Sequence, residues 1–200
     1  MKIENHILID ELVSLTDQSI EFVKQFKELD PSVLNYKSAP GSWSMLESIE
    51  HLNLYGNFYI PEIQTQLNGA STTRDSLFRT SIMGDYFVKL IRVKNGKIRK
   101  IKTAREMDPN NSTLTITTLN RFIKQQEKLR ELLELAVHKD LTKTKTAISL
   151  THFFRLRMGD TLRFVVYHTE RHILQARHVL QSVPESMVSN VNVNELMVAG

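Results

Sequence analysis

The chain has no cysteine among its 200 residues, and that absence removes several kinds of chemistry. It excludes disulfide bonds, thiolate metal sites and a cysteine nucleophile. Any metal ion must therefore be held by histidine, aspartate or glutamate side chains. A cysteine-free composition is compatible with the cytoplasm, and we expect a cytoplasmic protein.

The sequence also lacks an apolar run long enough to cross a membrane. Its first residues, MKIENH, have neither the basic region nor the apolar core of a signal peptide. Hydrophobic residues make up 41% and charged residues 24%, which is typical of a globular protein rather than a disordered one. We therefore expect one globular domain without a membrane partner.

Charge is only mildly unbalanced, with a formal net charge of +4, and the excess is local. Residues 89–105 contain many basic side chains and no acidic one. A nucleic-acid interface would join such charge to a docking motif, but no zinc-finger, recognition-helix or aromatic RNA-binding signature is present. The run predicts a solvated loop or ribbon and no nucleic-acid partner. Its basic residues are Lys89, Arg92, Lys94, Lys97, Arg99, Lys100, Lys102 and Arg105.

Four stretches repeat apolar residues at the three-and-four spacing of an amphipathic helix. They cover about residues 3–29, 44–67, 114–138 and 160–181. Ser44 and Glu47 have the spacing of a capping box at the start of the second helix. Pro61 lies inside that helix and predicts a kink or a break there. Gln126 falls on the apolar stripe of the third helix, so we expect it to face inward.

The second and third helices are joined by a long connection, about residues 69–113, without a clear helical period. Within it, residues 85–91 and 97–101 fit short helices or extended ribbons equally well. A connection of this length allows the two helices to run parallel, crossing the bundle between them. The predicted domain covers residues 1–183, followed by a C-terminal tail at 184–200 that is too weakly patterned to place.

Two histidines, His168 and His172, are four residues apart in the fourth helix. Four residues advance about 400° around a helix, so the two side chains differ in direction by only about 40°. Their Cβ atoms lie about 5–6 Å apart, which allows both rings to reach one metal ion. Two exposed amphipathic side chains near the bundle surface are the alternative interpretation.

A third ligand is needed for a tight site, and His51 in the second helix is the candidate. Three imidazoles leave at least one coordination position open, as in catalytic rather than structural zinc sites. An ion there would lower the pKa of a bound water or of a substrate thiol towards neutrality. The alternative for His51 is a core histidine satisfied by a neighbouring carbonyl.

Three blocks of the sequence resemble the DinB/YfiT-like family of metalloenzymes. Residues 41–52 (GSWSMLESIEHL) resemble its signature of a tryptophan and a capped helix start before a His-Leu pair. Residues 168–175 (HTERHILQ) resemble its helical histidine pair followed by a glutamine, and residues 102–109 (KTAREMDP) are similar to its linker before the third helix. The resemblance spans about residues 5–182.

The resemblance implies an all-α fold, a four-helix bundle with a long crossover between helices 2 and 3, often assembled as a homodimer. It implies that His51, His168 and His172 hold one divalent metal ion, with zinc and nickel the foremost candidates. Known activities in the family include metal-dependent transfer of low-molecular-weight thiols and isomerisation with a thiol cofactor. A low-molecular-weight thiol is therefore a candidate co-substrate.

Further residues near these histidines are secondary candidates. Glu47 is a candidate base or a group that orients His51, although its capping role competes with this. Gln175 follows His172 by three residues and is a candidate hydrogen-bond partner of a metal-bound ligand, with an inter-helix contact as the alternative. For Arg171 we prefer a surface ion pair with Glu47 or Glu50 over a role in binding an anionic substrate. A core position is preferred for Tyr55, and Trp43 is expected to plug the bundle end.

The leading hypothesis is a metal-dependent enzyme that acts on a small molecule, of hydrolase or thiol S-transferase type. The alternative is a non-catalytic ligand-binding or assembly module whose metal is structural or absent. The sequence names neither the substrate nor the metal, because three imidazoles suit zinc, nickel, copper and iron alike.

Overall fold

The computed structural model describes residues 1–72, 77–94, 96–99, 101–149 and 151–188, and the chain is mostly helical. Four long helices account for most of it, and two shorter ones lie between them. In chain order the helices are α1 Asn5–Phe26, α2 Pro31–Leu34, α3 Met45–Gly69, α4 Ile82–Ile91, α5 Ile116–Ala136 and α6 Met158–Gln181. Residues Arg105–Met107 and Glu185–Met187 form 3₁₀ turns.

The four predicted long helices correspond to α1, α3, α5 and α6, with ends that differ by at most three residues. The first prediction, 3–29, is too long because Lys2–Glu4 is a strand and residues 27–29 form a turn. Asp30 and Pro31 do interrupt the helix, but they also start α2. The Asp30 side chain accepts a hydrogen bond from Ser32 N at 2.8 Å, and Pro31 occupies the first helical turn, where no donor is needed.

The start of α3 is the predicted capping box. Ser44 Oγ accepts from Glu47 N at 3.1 Å, and Glu47 Oε2 accepts from Ser44 N at 2.8 Å. The expected interruption at Pro61 is not seen as a break, since α3 continues to Gly69. Pro61 lies on the exposed face, and so does Asn57, whose carbonyl loses its helical donor. Water can satisfy that carbonyl, which lowers the cost of the proline.

Strands correct the all-α prediction. Strand β1 (Lys2–Glu4) pairs antiparallel with β2 (Leu77–Arg79), and β3 (Lys145–Ile148) pairs antiparallel with β4 (Thr151–Arg157). In β3 the buried residues are Thr146 and Ile148, which is the period of two expected of a strand. These strands are three to seven residues long, which is too short to show a clear apolar period in the sequence.

The long connection contains α4, which settles the choice between helix and ribbon for residues 85–91 in favour of a helix. Of residues 97–101, residue 100 lies outside the described part; Lys97 pairs with Lys94 in an isolated bridge. A buried carboxylate joins α4 to α6: Asp160 Oδ2 accepts from Ser81 N at 2.9 Å and from Ser81 Oγ at 2.8 Å. The connection is therefore anchored directly to the last helix.

Each long helix packs against two others: α1 and α3 both contact α5 and α6. The residue numbers of paired side chains on α3 and α5 increase in the same direction. Glu50 forms an ion pair with Arg121, and further along Asn57 accepts a hydrogen bond from Gln125 at 2.8 Å. Gln126 is 3% exposed, as predicted from its place on the apolar stripe.

Two apolar clusters form the core along the length of these helices. On α6, residues up to Tyr167 belong to the first cluster, and residues from Ile173 onward belong to the second. On α3 the order is reversed, with Leu52 in the second cluster and Tyr59 in the first. On α6 the stretch between the clusters, residues 168–172, carries buried polar side chains, and on α3 the buried polar residues His51 and Asn53 flank Leu52, the last residue of the second cluster on that helix.

The predicted tail at 184–200 lies mostly beyond what the structure describes, because residues 189–200 are outside it. Met187 and Val188 pack partly buried against the second apolar cluster. Among the described residues, no helix combines the length and apolar character required to cross a membrane.

Candidate metal centre

His51, His168 and His172, here called the His triad, meet between the two apolar clusters. His168 Nε2 lies 3.3 Å from His51 Nε2 and 3.1 Å from His172 Nε2. The candidate ligand atoms all lie within 4.8 Å of one another. The side chains are 2%, 7% and 7% exposed, respectively. The structure thus brings together one histidine from α3 and two from successive turns of α6.

The other ring nitrogens determine which tautomers are present. His51 Nδ1 lies 2.6 Å from the carbonyl oxygen of Met107, which accepts but cannot donate. His172 Nδ1 lies 2.9 Å from Gln175 Oε1, also an acceptor. Each Nδ1 therefore carries the proton and donates it, leaving the lone pair on Nε2. Two of the three Nε2 atoms are acceptors directed at their common neighbour.

This arrangement leaves an imbalance of protons at the centre. His168 Nε2 can donate one proton to His51 or to His172, but not to both at once. His168 Nε2 and one of its two neighbouring Nε2 atoms then direct their lone pairs at each other, and these two nitrogens are only about 3 Å apart in a buried site. A cation would satisfy all three at once. Tetrahedral zinc, at about 2.0–2.1 Å from each nitrogen, places its ligands about 3.3 Å apart. The donor set, and the separations of 3.3 and 3.1 Å from His168 Nε2 to the other two nitrogens, fit a divalent ion.

Burial keeps the triad uncharged. Desolvation lowers the pKa of His51 to about 4, against a smaller opposing effect of its hydrogen bond to Met107. The pKa values of His168 and His172 are held well below the ordinary value of 6.5, first by desolvation and then by the neighbouring histidines. Neutral imidazole is the form that binds metal, so protons compete weakly at neutral pH.

Aromatic side chains surround the triad. The Trp43 ring lies 4.8 Å from the ring of His51, and Phe164 stacks on His168 at 5.5 Å between centroids. Tyr55 lies 4.5 Å from His168 and is half-buried against the first apolar cluster, beside the triad rather than in the core position preferred from the sequence. Desolvation raises the pKa of Tyr55 to about 12, so it stays a neutral phenol. The walls are apolar and keep the imidazoles from turning away.

Glu47 does not contact the His triad among the described hydrogen bonds. Its carboxylate accepts from Ser44 N, from Lys37 Nζ at 2.8 Å and from Asn111 N at 2.7 Å. The carboxylate therefore fastens the segment after Met107 to the start of α3. The roles of Glu47 as a base or as a group that orients His51 stay predictions.

Residues of the long connection complete the site, and sequence reasoning missed them. Met107 supplies the carbonyl that orients His51, and Asp108 Oδ1 accepts from Trp43 Nε1 at 3.1 Å. The only signal in the sequence was the similarity of residues 102–109 to the family's linker. A backbone carbonyl has no residue type of its own, so no pattern of side chains could have identified it.

A cleft of about 570 Å³ reaches the triad at His172. This size lies within the usual range for small-molecule sites, about 300–1,000 Å³. Helix α6, the loop before α3 and the connection all contribute to its walls. The residues that line the cleft include Trp43, Ile98, Ile101, Arg171, His172 and Gln175.

Arg171 does not form the ion pair that the sequence suggested. It is 5% exposed, and its guanidinium donates to the carbonyl oxygens of Ile91, at 3.4 Å, and Arg99. The two proposed acidic partners are engaged elsewhere, Glu47 by Lys37 and Glu50 by Arg121. The prediction failed because the connection folds over α6 and covers Arg171.

Comparison with known proteins identifies the family of the chain. Searches of curated proteins and of solved structures find no match to the chain. The family model described as the DinB superfamily matches residues 15–176, a range that includes His51, His168 and His172. The match covers most of the chain, and the resemblance seen in the three sequence blocks is confirmed: the protein belongs to the DinB superfamily.

Proposed function

We propose that this protein is a metal-dependent enzyme that acts on a small molecule, of hydrolase or thiol S-transferase type. His51, His168 and His172 would hold one divalent ion, with zinc and nickel as the foremost candidates. The observation that carries the proposal is the convergence of three buried Nε2 atoms within 4.8 Å, two of them fixed as acceptors. Members of the DinB superfamily often bind metal, which supports it.

A bound ion would supply Lewis acidity, which lowers the pKa of a water or thiol that reaches it. The chain's own residues set the conditions for this chemistry. Met107 and Gln175 hold two imidazoles with their lone pairs inward, and Trp43 with Phe164 excludes water from their faces. The cleft beside His172 gives a substrate access from one side. A low-molecular-weight thiol remains a candidate co-substrate.

The position of Gln175 supports a catalytic role better than the position of Glu47 does. Gln175 lines the cleft and contacts His172, so it lies where a substrate would lie. Glu47 is 2% exposed, and its carboxylate oxygens already accept three hydrogen bonds. We infer that Gln175 is the better candidate for contact with substrate, and that Glu47 positions the loop around His51.

The helix contacts support a four-helix bundle with a long crossover for residues 1–183. Along α3 and α5 the paired residues increase together, which is the pattern of parallel neighbours. Between α3 and α6 they run in opposite senses, since Tyr59 contacts Phe164 and His51 contacts His172. Parallel neighbours need a connection that returns along the bundle, and residues 70–115 would form it. A homodimer and a cytoplasmic location remain proposals.

The test is metal analysis of the purified protein by plasma mass spectrometry. We expect about one divalent ion per chain, and a large loss of metal in His172→Ala. The matched control is His138→Ala, which removes an exposed histidine from the turn that follows α5. Circular dichroism of each variant checks that the helices persist. Equal metal content in wild type and His172→Ala would overturn the proposal.

A further inference from the structure

Arg171 carries a buried positive charge without a negative partner in the part of the chain that the structure describes. Its side chain is 5% exposed, and the described ion pairs include none with a carboxylate. By contrast Arg163, also on α6 and buried, lies 3.5 Å from Asp160 and 3.8 Å from Asp85. An unpaired buried charge is costly, so a functional reason is needed for Arg171.

The two hydrogen bonds of Arg171 hold its guanidinium in place but do not neutralise it. They go to backbone carbonyls of Ile91 and Arg99, which carry no net charge. A guanidinium has five N–H donors, so two such bonds leave others for a ligand. Arg171 also lines the cleft, next to His172 in sequence. The side chain is thus a fixed, charged donor at the wall of the candidate site.

The rest of the cleft favours the same sign of ligand. Among the described residues that line it, none is acidic. Ile98 and Ile101 place the basic segment of the connection in one wall, and Lys97, Arg99 and Lys102 are exposed beside them. Like charges along the rim of a cleft raise the local concentration of small anions and speed their arrival.

We propose, resting on the proposed function, that the substrate of this site is a small molecule with an oxyanion group, a carboxylate or a phosphate, and that Arg171 binds that group. The guanidinium fork matches both groups bidentately. The anion would supply the missing counter-charge inside the cleft, while the rest of the molecule reaches the His triad. Arg171 is therefore a specificity-determining residue.

The sole tryptophan of the chain, Trp43, lines the cleft, so its fluorescence reports on occupancy. Zinc-treated full-length protein would be titrated with succinate, with inorganic phosphate and with succinamide, the neutral isostere of succinate. We expect saturable changes in emission with at least one anion and none with succinamide. In Arg171→Gln the affinity for that anion should fall about tenfold or more, as for the loss of a charged hydrogen bond.

Arg177→Gln is the charge-matched control, since Arg177 is also on α6 but stacks on Phe22 at 4.0 Å, outside the cleft. It should bind the anion within twofold of wild type. Arg171→Lys keeps the charge without the fork and should lie between wild type and Arg171→Gln. If Arg171→Gln does not fold, the intermediate affinity of Arg171→Lys carries the test.

The inference would be overturned by no saturable response to either anion, by equal binding of succinamide, or by equal losses in Arg171→Gln and Arg177→Gln. An anion held by the metal alone would bind wild type and Arg171→Gln equally, which also overturns it. Repeating the titration on chelator-treated protein separates the two proposals. Anion binding that needs Arg171 but no metal would uphold this inference even if the metal-dependent function failed.

Discussion

Two of the three triad histidines are oriented through Nδ1 by quite different partners. His51 donates to a backbone carbonyl, that of Met107, whereas His172 donates to the side chain of Gln175. Such partners fix the tautomer and increase the basicity of the metal-binding nitrogen. Only the partner of His172 can be changed by a substitution without moving the chain.

Replacing Gln175 by leucine should weaken zinc binding about tenfold to a hundredfold, because His172 would lose the acceptor that fixes its tautomer. Gln175→Glu keeps an acceptor and should retain the wild-type affinity. Competition against a chromophoric zinc chelator gives the dissociation constants. Gln181→Leu, at the exposed end of α6, is the control and should leave them unchanged. Equal affinities in wild type and Gln175→Leu would contradict this role of Gln175.

The low pKa of His51 makes the metal-free protein sensitive to acid. With a folded pKa of about 4 and an ordinary value of 6.5, the unfolded chain binds more protons between these pH values. The stability from burying a neutral His51 is therefore present above pH 6.5 and is lost as the pH falls towards 4.

Between pH 7 and pH 5 the metal-free protein should lose about 2 kcal/mol of unfolding free energy through His51 alone. Urea denaturation of chelator-treated protein at the two pH values measures it. His51→Leu removes this proton site and should lose less over the same interval. A loss as large in His51→Leu as in wild type would show that other groups cause the acid sensitivity.

At the scale of elements, the sequence located the long helices well because each carries an apolar stripe of helical period. It also located the cap of α3, because Ser44 and Glu47 interact within one turn. The strands were not predicted from the sequence, because the residues that pair in β1 and β2 are far apart in the chain. Lys2 pairs with Arg79, and neither three-residue segment carries a pattern that points to the other.

Close approach of β2 to the start of α6 depends on Gly159. A Cβ there would lie 2.5 Å from Cε2 of Phe78, a ring with no exposed surface. Because the ring is enclosed, Gly159→Ala should destabilise the protein by about 1–3 kcal/mol. Thermal or urea denaturation measures the change.

Gly69→Ala is the matched control, since a Cβ at Gly69 meets nothing within 4 Å. It should change stability by at most about 1 kcal/mol, and in the stabilising direction, since alanine favours helix over glycine. If Gly159→Ala is as stable as wild type, the strand is free to move away from α6, and the packing argument fails.

At the scale of the whole molecule, the two apolar clusters lie on either side of the triad and do not include it. We therefore expect the helices to form without metal. A bound ion would add stability by mass action, about 4 kcal/mol at a free concentration a thousand times the dissociation constant. The ion would thus raise the melting temperature without being needed for folding.

Chelator treatment should lower the thermal midpoint of unfolding. It should leave the helical circular dichroism signal nearly unchanged at about 20 °C, near the temperature of maximum stability. Restoring zinc should restore the midpoint, and His172→Ala should show no response to either treatment. Collapse of the helical signal on chelation would instead indicate a structural ion, which is the alternative of a non-catalytic module.

The sequence alone determined the mostly helical fold and the His168–His172 pair, because these depend on local spacing, and its resemblance to a known family supplied the family and His51. The four-residue step between His168 and His172 sets them on one helix face wherever the helix lies. The meeting of His51 with them was an expectation from the resemblance, since no spacing relates α3 to α6.

Only the tertiary structure decided how the site is completed. The carbonyl of Met107 and the bond from Trp43 to Asp108 arise where the long connection meets the start of α3, and the burial of Arg171 arises where it folds over α6. These contacts join residues far apart in the chain, and two of them use backbone carbonyls, which every residue has. Their physical origin is packing between distant segments, which a pattern of side chains along one segment does not encode.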